Sequence, residues 1–241
     1  MRQRPREGGQ ERKRGKRVAL FGGTFDPVHS GHLAVARAAL RRYDLDEVVF
    51  IPVSHPPHKR PDEMLPFIHR YAMVALACAD DPRLIPSLAE ATVNGKRHRI
   101  FYSVDTVRLF LDKLRRPRDR LYFLMGADSF LQIETWKKYR TLLTLCDFIV
   151  AHRPGFRKER LYEVIPPELL APSPAGEKAA GGRDKQASIA LRNTTVYLLD
   201  TVESSVSATH VRQKLERGEP VRGLVPNEVE EYIRKQALYG S

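Results

Sequence analysis

Cysteine is nearly absent from this chain: of 241 residues only Cys78 and Cys146 carry a thiol, each isolated and in apolar company. That excludes a disulfide-stapled fold and a cysteine-based metal cluster, and fits two small buried side chains. No apolar run approaches the ~18 residues of a membrane-crossing helix, and the N-terminus lacks the apolar segment of a signal peptide, so the expected location is the cytoplasm. Glycine (15) and proline (17) are too few for a fibrous or low-complexity chain, and no internal repeat is visible. Tryptophan occurs once, at position 136. With 42% hydrophobic residues, the chain can bury the core of one large α/β domain.

Acidic residues are the minority, 29 against 41 Lys and Arg, for a net charge of +12. Half of that excess lies in residues 1–17, where eight Lys and Arg face only Glu7 and Glu11. A stretch so poor in apolar side chains cannot fold alone, and residues 1–16 are expected to form a disordered basic tail. A solvated leader, a weak RNA contact and a misassigned start site are its three readings. The remaining +6 suits an enzyme that holds polyanionic nucleotides.

The densest information is in Phe21-Gly-Gly-Thr-Phe-Asp-Pro-Val-His-Ser-Gly-His32, entered from the apolar Val18-Ala-Leu-Phe21. It reads as a strand, a flexible glycine pair, a short loop and a helix starting near Ser30 that carries Leu33, Val35, Ala36 and Leu40. Gly22 and Gly23 allow close backbone approach to a ligand, and a helix start offers unpaired N–H groups and partial positive charge. His29 and His32 stand three apart on one face of the first turn and can donate to phosphate oxygens. The same spacing also matches half of a metal site; the neighbouring glycines and helix start favour phosphate.

Strand and helix patterns alternate along the chain. Strands are expected at 18–21, 48–52, 83–86, 121–125, 148–151 and 196–199, and helices at 31–43, 66–79, 103–115, 137–144, 208–217 and 226–237. This predicts a doubly wound parallel sheet with a small C-terminal helical part, and ligands beyond the carboxyl ends of the strands. Residues 171–193, small and polar, match neither period and read as a flexible insert. The domain is expected over 17–239, with the helical part at 204–239.

The glycine loop followed by His-x-x-His resembles the signature of the nucleotidyltransferase superfamily, and GGTFDPVHSGH resembles its bacterial nicotinate-nucleotide adenylyltransferase family. IPVSHPPHK (51–59), HR (69–70), YSVDT (102–106), GADSF (126–130), Trp136, HRPG (152–155), VSATHVR (206–212) and LVPNEVEEYIRKQALY agree in the same order. The resemblance implies a Rossmann-like nucleotidyltransferase fold and transfer of the adenylyl group of ATP to nicotinate mononucleotide, giving deamido-NAD and pyrophosphate. The acceptor attacks in line without a covalent enzyme intermediate, and Mg²⁺ arrives bound to ATP.

It further implies site residues. His29, His32 and Arg212 are the catalytic set. Gly22, Gly23, Thr24, Phe25, Gly126, Asp128, Ser207 and Thr209 bind ATP. Lys59, Arg70, Ser103, Trp136, Lys137 and Arg153 bind the mononucleotide, with Arg70 alternatively orienting loops. Val206 and Ala208 stand where the family has Ile and Ser, Ser103 where Thr is common, and Phe101 where a small residue is usual. No dedicated metal cage, membrane contact or specific nucleic acid is expected, and a homo-oligomer is compatible with the sequence. The rival readings are phosphopantetheine adenylyltransferase and, in another class, a non-catalytic RNA-binding protein.

Overall fold

The computed structural model describes residues 14–54, 64–91, 101–114, 116–172, 188–200 and 206–240. Seven strands form one sheet in the order β3-β2-β1-β4-β5-β7-β6. They are β1 (Arg17–Gly23), β2 (Glu47–Pro52), β3 (Leu84–Pro86), β4 (Arg120–Gly126), β5 (Asp147–His152), β6 (Ser188–Ala190) and β7 (Thr195–Asp200). All neighbours pair in parallel except β6, which lies antiparallel to β7 at one edge.

The strands read as continuous apolar runs because both faces are covered, and side chains alternate between two cores. In β1, Ala19 and Phe21 enter one core; Val18 and Leu20 enter the other. Against the first pack α1 (Ser30–Arg42), α2 (Phe67–Cys78) and the C-terminal helices α7 (Ala208–Glu216) and α8 (Asn227–Lys235). Against the second pack α3 (Ser103–Leu111) and α5 (Tyr139–Leu145), with the short α4 (Ala127–Phe130) and α6 (Glu159–Tyr162). Cys78 and Cys146 are buried and free, and burial pushes both thiols upward, Cys78 to about 12.

Strand order reverses between β1 and β4, where consecutive crossovers lead to opposite faces and leave a crevice at the carboxyl ends. Glycines stand there on both strands: Gly22 and Gly23 end β1, and Gly126 ends β4.

The structure corrects three boundaries. Arg14–Lys16, expected in the tail, is tied to the domain: the Arg14 guanidinium donates to both carboxylate oxygens of Asp46 at 3.1 Å, and the Lys16 N–H to Asp119 Oδ1 at 2.7 Å. Short polar contacts of this kind leave no periodicity to read. The insert ends in β6, whose buried Ile189 and the adjoining Leu191 are too short a run to show alternation. The helix expected at 137–144 begins at Tyr139, because Lys138 is left-handed at φ +54°. The rest of the tail (1–13) and of the insert (173–187) lies outside the described residues.

Candidate active site

At the crevice, His29 is the N-cap of α1 and His32 lies in its first turn. Their rings stack with centroids 3.7 Å apart, and the His29 N–H donates to His32 Nδ1 at 3.2 Å. An Nδ1 that accepts a hydrogen bond carries no proton, so the neutral His32 ring holds its hydrogen on Nε2. Phe21 and Phe25 meet the same ring edge-on, at 5.9 and 5.0 Å. Burial pushes His29 down to about 4, and burial with the neighbouring His29 lowers His32 well below its ordinary value. Both are therefore neutral hydrogen-bond donors at pH 7 rather than cations. His29 Nδ1 is buried and has no partner among the described residues.

The helix start offers less backbone than the sequence promised. Ser30 donates its N–H to the Leu224 carbonyl at 2.8 Å, and His32 and Leu33 donate to the His29 carbonyl. Gly31 keeps an N–H without an acceptor among the described residues, and lines the crevice.

Two cavities open on either side of the switch point. The histidine-side cavity, about 760 Å³, includes His29, Gly31 and His32 of the signature, Asp128 after β4, His152 at the end of β5 and Arg153 after it. The other cavity, about 480 Å³ and labelled the pyridine side after the sequence expectation for Ser103, Trp136 and Lys137, also includes Thr24, Glu90 and Gln132. Gly22, Gly23, Gly126 and Ser129 line both. A Cβ on Gly23 would stand 2.9 Å from the Phe25 ring, so a larger residue there would displace the loop that joins the cavities.

A brace holds that loop. The fully buried Arg70 guanidinium donates Nε to the Leu65 carbonyl (2.9 Å), Nη1 to those of Thr24 and Val53 (both 2.8 Å), and Nη2 to that of Ser54 (3.3 Å). Arg212 Nη1 donates to the Asp26 carbonyl at 2.7 Å, and Tyr239 Oη, from the chain's last turn, to Asp26 Oδ1 at 2.5 Å. Burial beside the Asp26 carboxylate pushes the Tyr239 hydroxyl far up, which keeps it a donor.

Several assignments change accordingly. Arg70 takes the loop-orienting role and not the phosphate-binding one, since its donors are spent on carbonyls and no part of it is exposed. Phe25 is a core side chain, packed on Phe21, Phe50 and His32, and lines neither cavity. Thr24, expected with ATP, lines the pyridine side. Arg153, expected with the mononucleotide, lines the histidine side, because it follows β5 on the far flank of β4. Ser207 caps α7, accepting the His210 N–H at 3.2 Å. Ser207 and Thr209, expected with ATP, line neither cavity; of this segment Val206 lines the histidine side. Lys59 lies outside the described residues.

The pyridine side brings Ser103, Trp136 and Lys137 together as expected. Trp136 meets Phe123 edge-on at 6.0 Å, and the Lys137 ammonium lies 3.9 Å from the centre of the Tyr102 ring. Sequence reasoning missed Ser129 and Glu90. An acid set in Leu88-Ala-Glu-Ala91 was the available signal for the latter, and burial pushes its carboxyl up to about 7.

A cytidylyltransferase-like family profile matches residues 20–214. A protein of Citrifermentans bemidjiense described as a "probable nicotinate-nucleotide adenylyltransferase" is 40% identical over 223 residues, covering 92% of this chain and 98% of that protein. One of Moorella thermoacetica with the same description is 37% identical, covering 92% and 91%. Among solved structures, the nicotinic acid mononucleotide adenylyltransferase of Plasmodium falciparum complexed with NaAD shares the fold. Its TM-score is 0.66 at 17% identity, over 93% of this chain and 98% of that one.

Proposed function

The chain belongs to the nicotinate-nucleotide adenylyltransferase family, and we infer from that membership that it transfers the adenylyl group of ATP to nicotinate mononucleotide, forming deamido-NAD and pyrophosphate in NAD biosynthesis. ATP occupies the histidine-side cavity and the mononucleotide the pyridine-side cavity. The observation that carries this assignment is their junction: backbone without side chains on Gly22, Gly23 and Gly126 lets two phosphates meet between β1 and β4.

There the phosphate oxygen of the mononucleotide attacks the α-phosphorus of ATP. The bond from that phosphorus to the bridging oxygen breaks, and pyrophosphate leaves with the electron pair. No side chain need become covalently attached. The protein's part is positioning and charge stabilisation. His32, its proton held on Nε2, donates to the triphosphate, and His29 and the Gly31 N–H support the same oxygens. Arg212, expected in the catalytic set, lines neither cavity; it donates to the Asp26 carbonyl and thereby holds the loop that carries these groups. Asp128, in α4 just after β4, suits ribose hydroxyls, and Trp136 offers a face to the pyridinium ring. Ser103 and Lys137 suit its carboxylate.

A divalent cation, which we assign as Mg²⁺, accompanies ATP. Among the described residues no three His, Cys, Asp or Glu side chains cluster, and Asp128 and Asp200 are the carboxylates that line the histidine-side cavity. That donor set fits a hard cation carried on phosphate oxygens, which when bound neutralises triphosphate charge.

The test combines product and stereochemistry. Purified protein with ATP and nicotinate mononucleotide should release deamido-NAD and pyrophosphate in equal amounts. ATP made chiral with sulfur at the α-phosphorus should yield product of inverted configuration. Absence of product would refute the activity, and retention would refute direct attack.

A further inference from the structure

Glu90 is a carboxyl group in the wall of a cavity assigned to an anion, and the transfer step makes no use of it. It is 5% exposed and sits between β3 and α3. Its Oε1 accepts the Thr106 hydroxyl of α3 at 2.8 Å, and the backbone N–H of Ser54, after β2, bonds to the same carboxyl. The group thus joins two walls of the pyridine-side cavity. The other ionisable side chains among the described lining residues are Tyr102, the N-cap of α3, and Lys137 before α5. The Lys137 ammonium rests on the Tyr102 ring, and no Lys or Arg among the described residues forms an ion pair with Glu90.

We propose that Glu90 is a specificity-determining residue of the acceptor site, whose charge, when present, opposes the carboxylate of the pyridine ring. The proposal rests on the assignment of this cavity to the mononucleotide. Burial raises the carboxyl to about 7, against the opposite pull of the Thr106 and Ser54 hydrogen bonds. Below that pH, Lys137 is the only charged side chain among the described lining residues, and the cavity favours an anion. Above it, the carboxylate offsets Lys137 and repels the ring carboxylate through a medium of low dielectric. A neutral carboxamide is indifferent to the change. The cavity therefore discriminates best on the acid side of neutrality.

The experiment measures, from about pH 6 to 8.5, the KM for nicotinate mononucleotide and the inhibition constant of nicotinamide mononucleotide. Both carry the same 5′-phosphate, so its titration cancels in their ratio. In the wild type the ratio should rise at least about fivefold with pH, and in Glu90→Gln it should stay flat. Thr106→Val removes a donor that favours the charged form, so the rise should move to higher pH. A flat wild-type ratio, a rise that survives in Glu90→Gln, or an unmoved midpoint in Thr106→Val would each overturn the proposal. Should Glu90→Gln fail to fold, the wild-type profile and Thr106→Val decide. Absence of turnover with nicotinate mononucleotide at every pH would instead refute the underlying assignment.

Discussion

The histidine-side cavity takes its chief donors from one short stretch, His29 to His32, directly behind the glycines that shape it. The pyridine-side cavity gathers Thr24, Glu90, Ser103, Trp136 and Lys137 from four separate segments. In the first, covalent neighbourhood and a helix start fix the donors relative to one another, and a brace from Arg70, Arg212 and Tyr239 fixes the loop to the rest of the domain. In the second, geometry depends on how α3 and the turn at Trp136 pack against β2 and β4. On the proposed assignment, the donors for adenylyl transfer sit in one local unit, while acceptor choice rests on segments that meet only in the folded domain.

If that contrast is right, the largest loss comes from the local unit. His32→Ala should lower kcat at least about a hundredfold, since an oriented donor of this kind contributes on the order of 3 kcal/mol to a transition state. Both Michaelis constants should move far less, and steady-state kinetics with each substrate varied would show it. Turnover within about threefold of wild type would remove His32 from the chemistry.

Arg70→Ala tests the brace. It strands four carbonyls, one buried and three partly buried, and the unmet acceptors should cost about 2–4 kcal/mol of stability in denaturant unfolding. A loss below about 0.5 kcal/mol, the scale of an ordinary surface change, would mean that the loop holds its shape unaided. Acceptor selectivity probes the assembled side. Nicotinate mononucleotide should exceed nicotinamide mononucleotide at least about tenfold in kcat/KM, because an amide sets donors against donors. Near-equal efficiencies would break the contrast there.

The smallest effect is linked to protons. His29 has its pKa lowered by folding, from the ordinary 6.5 to about 4. The unfolded chain therefore binds the proton first, so this contribution is complete above 6.5 and is lost as pH falls through 4. Unfolding free energy measured between those limits should fall more gently with acidification in His29→Gln than in the wild type. Parallel curves would deny the burial of the imidazole.

The same contrast explains what the sequence disclosed. Gly22, Gly23, His29 and His32 were legible because strand, glycine pair and helix start follow one another without interruption. The parallel sheet was legible from its alternation of apolar periods. Arg70 was misjudged, and Arg153 falls on the histidine side, because a lone cation carries no sign of whether its partners are carbonyls or phosphates, nor of which flank of the sheet it faces. Phe25 was misjudged because a residue in the midst of a binding motif can still be core. Glu90 and Ser129 went unseen because their meaning arises only when β3, α4 and α3 come together. Edge strand β6, three residues long, is below the length at which alternation shows.

The separation of the two cavities is tested most directly by the Michaelis constants of Trp136→Ala for both substrates. The account predicts that KM for nicotinate mononucleotide rises about tenfold or more, as loss of a stacking face for a pyridinium ring would cause, while KM for ATP stays within about twofold. A rise for ATP equal to that for the mononucleotide, or a rise for ATP alone, would contradict it.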